Sequence, residues 1–436
     1  MLETYERALQ NPLRASVMYP PDRRLFRPFA QPTTHAAIEA LLQNAAPRMG
    51  LYAHIPFCEP KCTYCDYETV PLQGANIDAY VEALCRELTL TLRALPRTTE
   101  ITGFDIGGGT PGVLSVKQFE RIIKTLEGAR LASDFEISTE TTPTMAAADP
   151  RKWSALKQVG IGRISMGVQS DENALLTQLN RGMHDSDHIG RGMDALRAFD
   201  LINLDLMFAL PGLTAERFAK TVARAVSLAP DVITVYDTVY KNRGIATQAR
   251  RIPALAPSRQ DYGAQYDLAF AALNAAGYRG RYGSVNFSRK AGRLGTSRYL
   301  ESRILDGTDY VGVGLYASSL QGATWRFGKR SYRAWMAQTE LGAEDLYALP
   351  AEHVMAKYIL LALSYGYIDS ERFERRFQEP LSRRFARVLD FLLTQKLLRE
   401  SDDGFEMVPG TFSDLPGARA LFYPEDALPW LGVNVL

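Results

Sequence analysis

Along residues 50–240, short apolar runs alternate with longer stretches in which apolar residues return at helical spacing. GLYAHIPF (50–57), EITGFDIGG (100–108), DFEISTETT (134–142), GRISMGVQ (162–169), INLDLMFALPG (202–212) and DVITVYDTVY (231–240) read as strands. NIDAYVEALCRELTLTLRAL (76–95), SVKQFERIIKTLEGARL (115–131), DPRKWSALKQVG (149–160), the stretch running through HIGRGMDALRAFDL (188–201) and TAERFAKTVARAVSLAP (214–230) read as helices. Parallel neighbours need crossover connections, so this alternation predicts a parallel sheet. Right-handed crossovers repeated in order curl such a sheet into a full or partial barrel, an α/β fold.

The flanks read differently. Residues 1–49 form an N-terminal arm with prolines, arginines and one helix, THAAIEALLQNAA (34–46). After residue 245 the rhythm loosens: SRQDYGAQYDLAFAALNAAGY (258–278) is a helix and TDYVGVGLYASS (308–319) a glycine-rich, strand-like piece. From about 340 the helices AEHVMAKYILLALSYGYI, SERFERRF and LSRRFARVLDFLLTQKLL precede LRESDDGFEMVPG, a hairpin. The expected organisation is an arm over 1–49, a barrel with a substrate-side extension over 50–330, and a helical, winged-helix-like unit over 340–436. A winged outline says nothing about DNA, because fold does not fix function.

Charge supports that restraint. Lysine and arginine total 50 against 49 acidic residues, a net charge of +1, so no basic excess exists to bind nucleic acid by counterion release. No run of about eighteen apolar residues predicts a membrane span. The N-terminus MLETYERALQNPLRAS is charged and lacks an apolar secretory core, which predicts a cytoplasmic protein.

Chemistry concentrates in YAHIPFCEPKCTYCDYE (52–68). Three of the chain's 4 cysteines, Cys58, Cys62 and Cys65, fall there with the spacing C-x3-C-x2-C. In a reducing compartment such a cluster argues for a metal centre over a disulfide. Cys85 lies mid-helix on a face with Val81 and Leu88 and reads as a small buried hydrophobe. Two centres suit three thiolates. One is zinc, completed by a nearby histidine such as His54. The other is a 4Fe–4S cube with one iron left open to a small molecule, by the logic that separates open catalytic metal sites from closed structural ones.

The spacing, with Tyr64 just before the last cysteine, resembles the radical S-adenosylmethionine (SAM) enzymes. The resemblance implies a 4Fe–4S cluster on Cys58, Cys62 and Cys65, SAM on the open iron, and a radical SAM partial (β/α)6 barrel. YAHIPFC, GGGTP (107–111), SMGVQS, LNRGM and DLMFALPG together resemble the superfamily's oxygen-independent coproporphyrinogen III oxidase branch, over about residues 50–325. That branch implies room for two SAM molecules. Their contacts carry over to Tyr52, Gly108, Gly109, Thr110, Glu140 of ETTP, Gln169, Arg181, Asp205, Val239 and Ser318. Tyr64 can stack on adenine, Arg181 can clamp a carboxylate, and Glu140, Gln169 and Asp205 fall at strand ends, where such barrels place their sites. The bland alternative for Asp205 is a helix cap or a structural pair with Arg181. DTVYKNRG (237–244) and residues 281–300 lie on the substrate side, with Tyr240, Arg243, Asn286 and Arg289 as candidate contacts.

Two departures shape the functional expectation. The oxidases follow the third cysteine with Gly-Cys; here Asp66 and Tyr67 stand. Their E-x-D-P acid is Thr142. Both changes lie near the expected reaction centre and turn the expectation to the two-SAM methyltransferase and cyclopropanase relatives. The expected reaction is one-carbon transfer to an sp2 carbon of a small-molecule or carrier-bound substrate, with a flavodoxin- or ferredoxin-type reductant. The alternatives are oxidative decarboxylation of coproporphyrinogen III and a haem-binding carrier. The carrier is weakened by a total of 5 histidines.

Overall fold

The computed structural model describes residues 1–10, 34–65, 67–238 and 257–430. Its main sheet has six successive strands: β1 (Arg48–Ile55), β2 (Glu100–Gly108), β3 (Ile137–Thr141), β4 (Ile161–Gln169), β5 (Leu201–Phe208) and β6 (Val232–Asp237). Each pairs in parallel with the next. Beyond β6, β7 (Asn286–Ser288) adds antiparallel. On the other flank β8 (Asp309–Val313) adds parallel to β1, followed by the antiparallel meander β9 (Ser318–Gln321), β10 (Thr324–Phe327) and β11 (Asp345–Ala348). The order β7-β6-β5-β4-β3-β2-β1-β8-β9-β10-β11 is an open path, a partial barrel. The glycine-rich piece 308–319 is thus two strands, with β8 continuing the parallel set past β1.

The crossover helices start where the sequence supplies acceptors for otherwise orphaned N–H groups. Asn76 caps Ile77–Ala94, Asp185 caps Ser186–Ala195 and Thr214 caps Ala215–Ser227. Ser115 and Gln118 form a reciprocal capping box on Val116–Lys124. The outward strand faces, including Leu51, Ala53, Ile106, Ile164, Leu204 and Leu206, are buried. They join one continuous core with Phe119, Trp153, Ile189 and Phe218 of the helices. Cys85 packs partly buried against that core.

The inward faces are different. Strand side chains alternate, and the inward parity carries Tyr52, Asp105, Ser138 and Arg163, mutually in register across β1–β4. The barrel floor is plugged by the helix Arg298–Ile304, which packs on β1 and β2. Gly103 permits this approach, since a Cβ there would come within 2.4 Å of the Tyr299 backbone nitrogen.

Beyond β11, the helices Ala351–Ala362, Ser370–Phe377 and Ala386–Thr394 accompany a three-stranded antiparallel sheet of Tyr367–Asp369, Gly404–Met407 and Leu398–Ser401. The expected hairpin is its last two strands. Arg281 reaches across to Asp403 in a two-pronged bond of 3.0 and 2.6 Å. Phe412 stacks on Tyr266 at 3.6 Å between ring centres. At the chain's start, the Leu2–Leu9 helix packs on Leu415–Ala420. No described helix is long and apolar enough to cross a membrane.

Candidate active site at the barrel mouth

The cysteine loop leaves the C-terminal end of β1 and is held from two sides. On one side the glycine segment that ends β2 grips its start: Gly109 N–H donates to Ile55 O (2.7 Å) and Thr110 N–H to Phe57 O (2.8 Å). This approach excludes a side chain at position 109, where a Cβ would lie 2.6 Å from the Phe57 carbonyl oxygen. Thr110 Oγ1 also sits 3.6 Å from Cys58 Sγ. On the other side, the LNRGM segment grips the loop's middle. Thr63 N–H donates to Leu179 O (3.1 Å) and Asn180 Nδ2 to Lys61 O (2.9 Å). Arg181, 6 % exposed, donates to Cys62 Sγ (3.2 Å) and to Gly167 O (2.5 Å). Two of the sequence segments that carried the resemblance are therefore the clamps of the cysteine loop.

This geometry separates the two metal readings. Sulfurs on one tetrahedral zinc sit about 3.8 Å apart, given Zn–S bonds near 2.3 Å. Among the described residues, only Glu352, His353 and Asp426 bring three candidate ligand atoms within 4.8 Å of one another. The three cysteine sulfurs are spread more widely, as ligands on separate corners of a cube require. His54 has its Nδ1 committed elsewhere, while its Nε2 is buried with no hydrogen-bond partner among the described residues. Its Nδ1 lies 3.0 Å from the Tyr52 hydroxyl, its ring packs over Gly108, and burial lowers its pKa to about 4. Burial pushes the Cys58 thiol up and the Cys65 thiol up to about 11, so cluster ligation must displace protons. Cys58, Cys62 and Cys65 fit a 4Fe–4S cluster, and zinc on them with His54 does not fit.

Below the loop the lumen is polar. Glu140 ends the inward row of β3, open to water yet ringed by protein. Burial, then repulsion from Asp205 and Asp105, pushes its pKa up to about 7, and the Gly108 N–H opposes this. Tyr52 and the Glu140 carboxyl meet over Gly107, where a Cβ would lie 3.2 Å from each. Asp205 accepts from Asn203 Nδ2 (2.7 Å), and burial raises it to about 6. Its hydrogen bond is to Asn203, while Arg181 bonds Cys62 and Gly167. Gln169 ends β4 at φ 66°, a left-handed backbone unusual for a residue with a side chain. Its amide folds back over Gly167 beside Arg181. Tyr64 packs against the core with its hydroxyl toward Cys62. Ser318 opens β9, its backbone on Gly312 of β8, one strand away from β1. Val239, Tyr240, Arg243 and Asp66 lie outside the described residues.

Several lumen residues escaped sequence reasoning. Asp105, Ser138, Arg163, Ser165 and Tyr236 line a cavity of about 50 Å3 with Glu140 and Asp205. Of the two substrate-side candidates that are described, Asn286 lines this cavity, whereas Arg289 lies over the Tyr278 ring at 5.5 Å. The available signal was parity: polar residues at alternate positions of otherwise apolar strands.

Thr142 corrects one premise. It caps the helix Pro143–Ala148, its hydroxyl accepting from Met145 N–H at 3.4 Å. Asp and Thr both serve as N-caps, so helix capping accounts for a residue of either type at this position.

Residues 52–225 match the radical SAM superfamily. The haem chaperone HemW of Lactococcus lactis is 28% identical over 374 residues, 83% of this chain and 95% of the relative. The oxygen-independent coproporphyrinogen III oxidase of Escherichia coli is 27% identical over 82% of this chain and 80% of its own. The solved structure of coproporphyrinogen III oxidase (HemN) from Escherichia coli superimposes with a TM-score of 0.72 at 22% identity, covering 91% of this chain and 96% of that one. These relatives overturn the expectation of methylation or cyclopropanation by one-carbon transfer: the chaperones and oxidases, its alternatives, fit better. Residues 52–225 thus carry a radical SAM domain, and the chain as a whole is similar to proteins of the oxygen-independent coproporphyrinogen III oxidase-like branch.

Proposed function

We propose that this radical SAM enzyme acts on a tetrapyrrole of the coproporphyrinogen type, bound at the barrel mouth beside the cysteine loop. The observation that carries the reading is the kinship with coproporphyrinogen oxidases and haem chaperones over four-fifths or more of this chain's length. Cys58, Cys62 and Cys65 would hold the cluster; Tyr52, Tyr64, Gly108, Gly109, Thr110, Glu140, Gln169, Arg181, Asp205, Val239 and Ser318 would contact SAM, with room for a second molecule. Bound cluster and SAM supply a 5′-deoxyadenosyl radical once an electron arrives from a flavodoxin- or ferredoxin-type donor.

The chain's own residues then have defined work. Arg181 steadies the cysteine loop through Cys62 and can pair with an anionic group. Glu140 and Asp205, with raised pKa values, can accept hydrogen bonds or exchange protons near neutrality. The barrel walls hold the reacting C–H bond in place and keep water from a radical that is powerful but unselective.

The test is anaerobic incubation of the reconstituted protein with coproporphyrinogen III, SAM and a reductant. The expected result is 5′-deoxyadenosine together with CO2 and a vinyl product; deoxyadenosine without porphyrinogen turnover removes this reading. A haem-carrier reading has its own support, since the haem chaperones align over 93–95% of their length. Hemin titration separates it: a saturable Soret shift without porphyrinogen turnover favours the carrier.

A further inference from the structure

Arg181 reaches Cys62 from the turn 181–184. The Arg181 N–H donates to Leu176 O (2.7 Å), and the His184 N–H donates back to Arg181 O (2.8 Å). Gly182 has no side chain and Met183 is 39 % exposed, so the middle of the turn anchors nothing by itself. Its brace comes from the neighbouring strand end. Thr144 lies in the helix Pro143–Ala148, which follows β3. The Thr144 hydroxyl donates to Met183 O (2.5 Å), and its oxygen lies 2.8 Å from His184 Nδ1. A hydroxyl has one hydrogen. With that hydrogen on Met183 O, the second contact runs the other way, from His184 Nδ1–H to Thr144 Oγ1. A neutral imidazole protonated on Nδ1 makes this bond. His184 is buried, and burial, then the charge of Arg181, lowers its pKa to about 3.

The base of this brace is fixed. At Gly192, a Cβ would lie 3.0 Å from Pro143 O and 3.2 Å from the Ala146 Cβ, so the helices Pro143–Ala148 and Ser186–Ala195 meet at close range. Trp153 Nε1 donates to Ala146 O (3.1 Å), and Thr142 caps the start of the same short helix. Thr144 therefore joins a rigid support to a turn whose one inward task is to present Arg181.

That task has an electrical consequence. A reduced 4Fe–4S cluster carries one more negative charge than the oxidised form. A guanidinium bonded to a ligand sulfur favours the reduced form, and cluster potentials follow such hydrogen bonds. The Arg181 bond to Cys62 is already 3.2 Å long, so a small retreat of the turn weakens it.

We propose that Thr144 and His184 are positioning residues for the cluster: they hold the turn 181–184 where Arg181 keeps its bond to Cys62, and so set how readily the cluster accepts an electron. The inference rests on Cys58, Cys62 and Cys65 holding the cluster, and not on the ligand being a tetrapyrrole.

The test is a redox titration, followed by electron paramagnetic resonance, of anaerobic, cluster-reconstituted full-length protein. Thr144→Val keeps the shape of the side chain and removes its hydroxyl, whereas Thr144→Ser keeps the hydroxyl. His184→Leu removes the ring donor, whereas His184→Asn keeps a donor near the position of Nδ1. At the solution potential that half-reduces the wild-type cluster, Thr144→Val and His184→Leu should lower the reduced-to-oxidised ratio roughly three- to tenfold, and the Ser and Asn variants should stay within about twofold of wild type. Iron and sulfide per chain should be unchanged. A merely structural role would lower Tm or cluster content and leave the ratio alone. A ratio within about twofold of wild type in both Thr144→Val and His184→Leu overturns the proposal. So does a Thr144→Ser variant that falls as far as Thr144→Val. Should Thr144→Val fail to load a cluster, the two His184 variants decide by the same criteria; loss of the cluster in both Thr144→Val and His184→Leu overturns the proposal in favour of a structural role. The expected shifts without any porphyrinogen turnover or hemin binding would remove the tetrapyrrole reading alone.

Discussion

Three thiols and one guanidinium dominate at the residue scale. The wide spread of Cys58, Cys62 and Cys65 leaves no single-ion site for a fallback ligand to complete. Replacing any of them by Ser should abolish stable cluster loading, measured as iron and sulfide per chain and as absorbance near 400 nm. Arg181 holds the loop with two of its nitrogens, one on sulfur and one on a backbone oxygen. Lysine keeps the charge but loses the planar fork. Hydrogen bonds to charged groups are worth about 1.5–3 kcal/mol, so Arg181→Lys should slow SAM cleavage roughly 10- to 100-fold with cluster content little changed. Deoxyadenosine formation per cluster reads this out; an unchanged rate would show that the fork does not matter.

Element-scale geometry explains why short motifs far apart in sequence act together. GGGTP ends β2 and LNRGM lies between β4 and β5, yet each donates backbone or side-chain bonds to the loop after β1. Their order along the chain was readable; that both are loop clamps emerges only when neighbouring strand ends are brought together. Thr142 shows the converse. Read as a sequence position it looked like a lost acid, but at the end of β3 it is a helix cap. Thr142→Ala should therefore cost about 1 kcal/mol, whereas Thr142→Asp should stay within about 0.5 kcal/mol of wild type. Urea melts at neutral pH measure both. A large gain of turnover in Thr142→Asp would restore a catalytic role to that position.

For the whole molecule, the acidic lumen sets a pH dependence. A carboxyl with its pKa raised on folding binds its proton more tightly in the native state. Stability is therefore highest below the unfolded value and falls as pH rises through the folded one. Asp105 and Glu140, raised to about 7, and Asp205, raised to about 6, all act in this direction between roughly pH 4 and 7. Burial is the main cause in each. Asp105→Asn removes one of these ionisations while leaving an acceptor for Ser297. The variant should exceed wild type by about 1–2 kcal/mol at pH 8 and match it at pH 4–5. Denaturant melts at the two pH values check this, and a variant less stable at pH 8 would contradict it.

The amino-acid order by itself determined the alternation of strands and helices and the cysteine spacing, because each is written among residues near in sequence. Even the close match of EITGFDIGG to β2 (Glu100–Gly108) is local pattern. Only tertiary structure decided that 308–319 supplies a further parallel strand beside β1, that Thr142 is a cap, and that Asp105 and Arg163 face one cavity. Those facts depend on strand register and inward parity across neighbours tens to hundreds of residues apart, where no local pattern reports which side chains will meet.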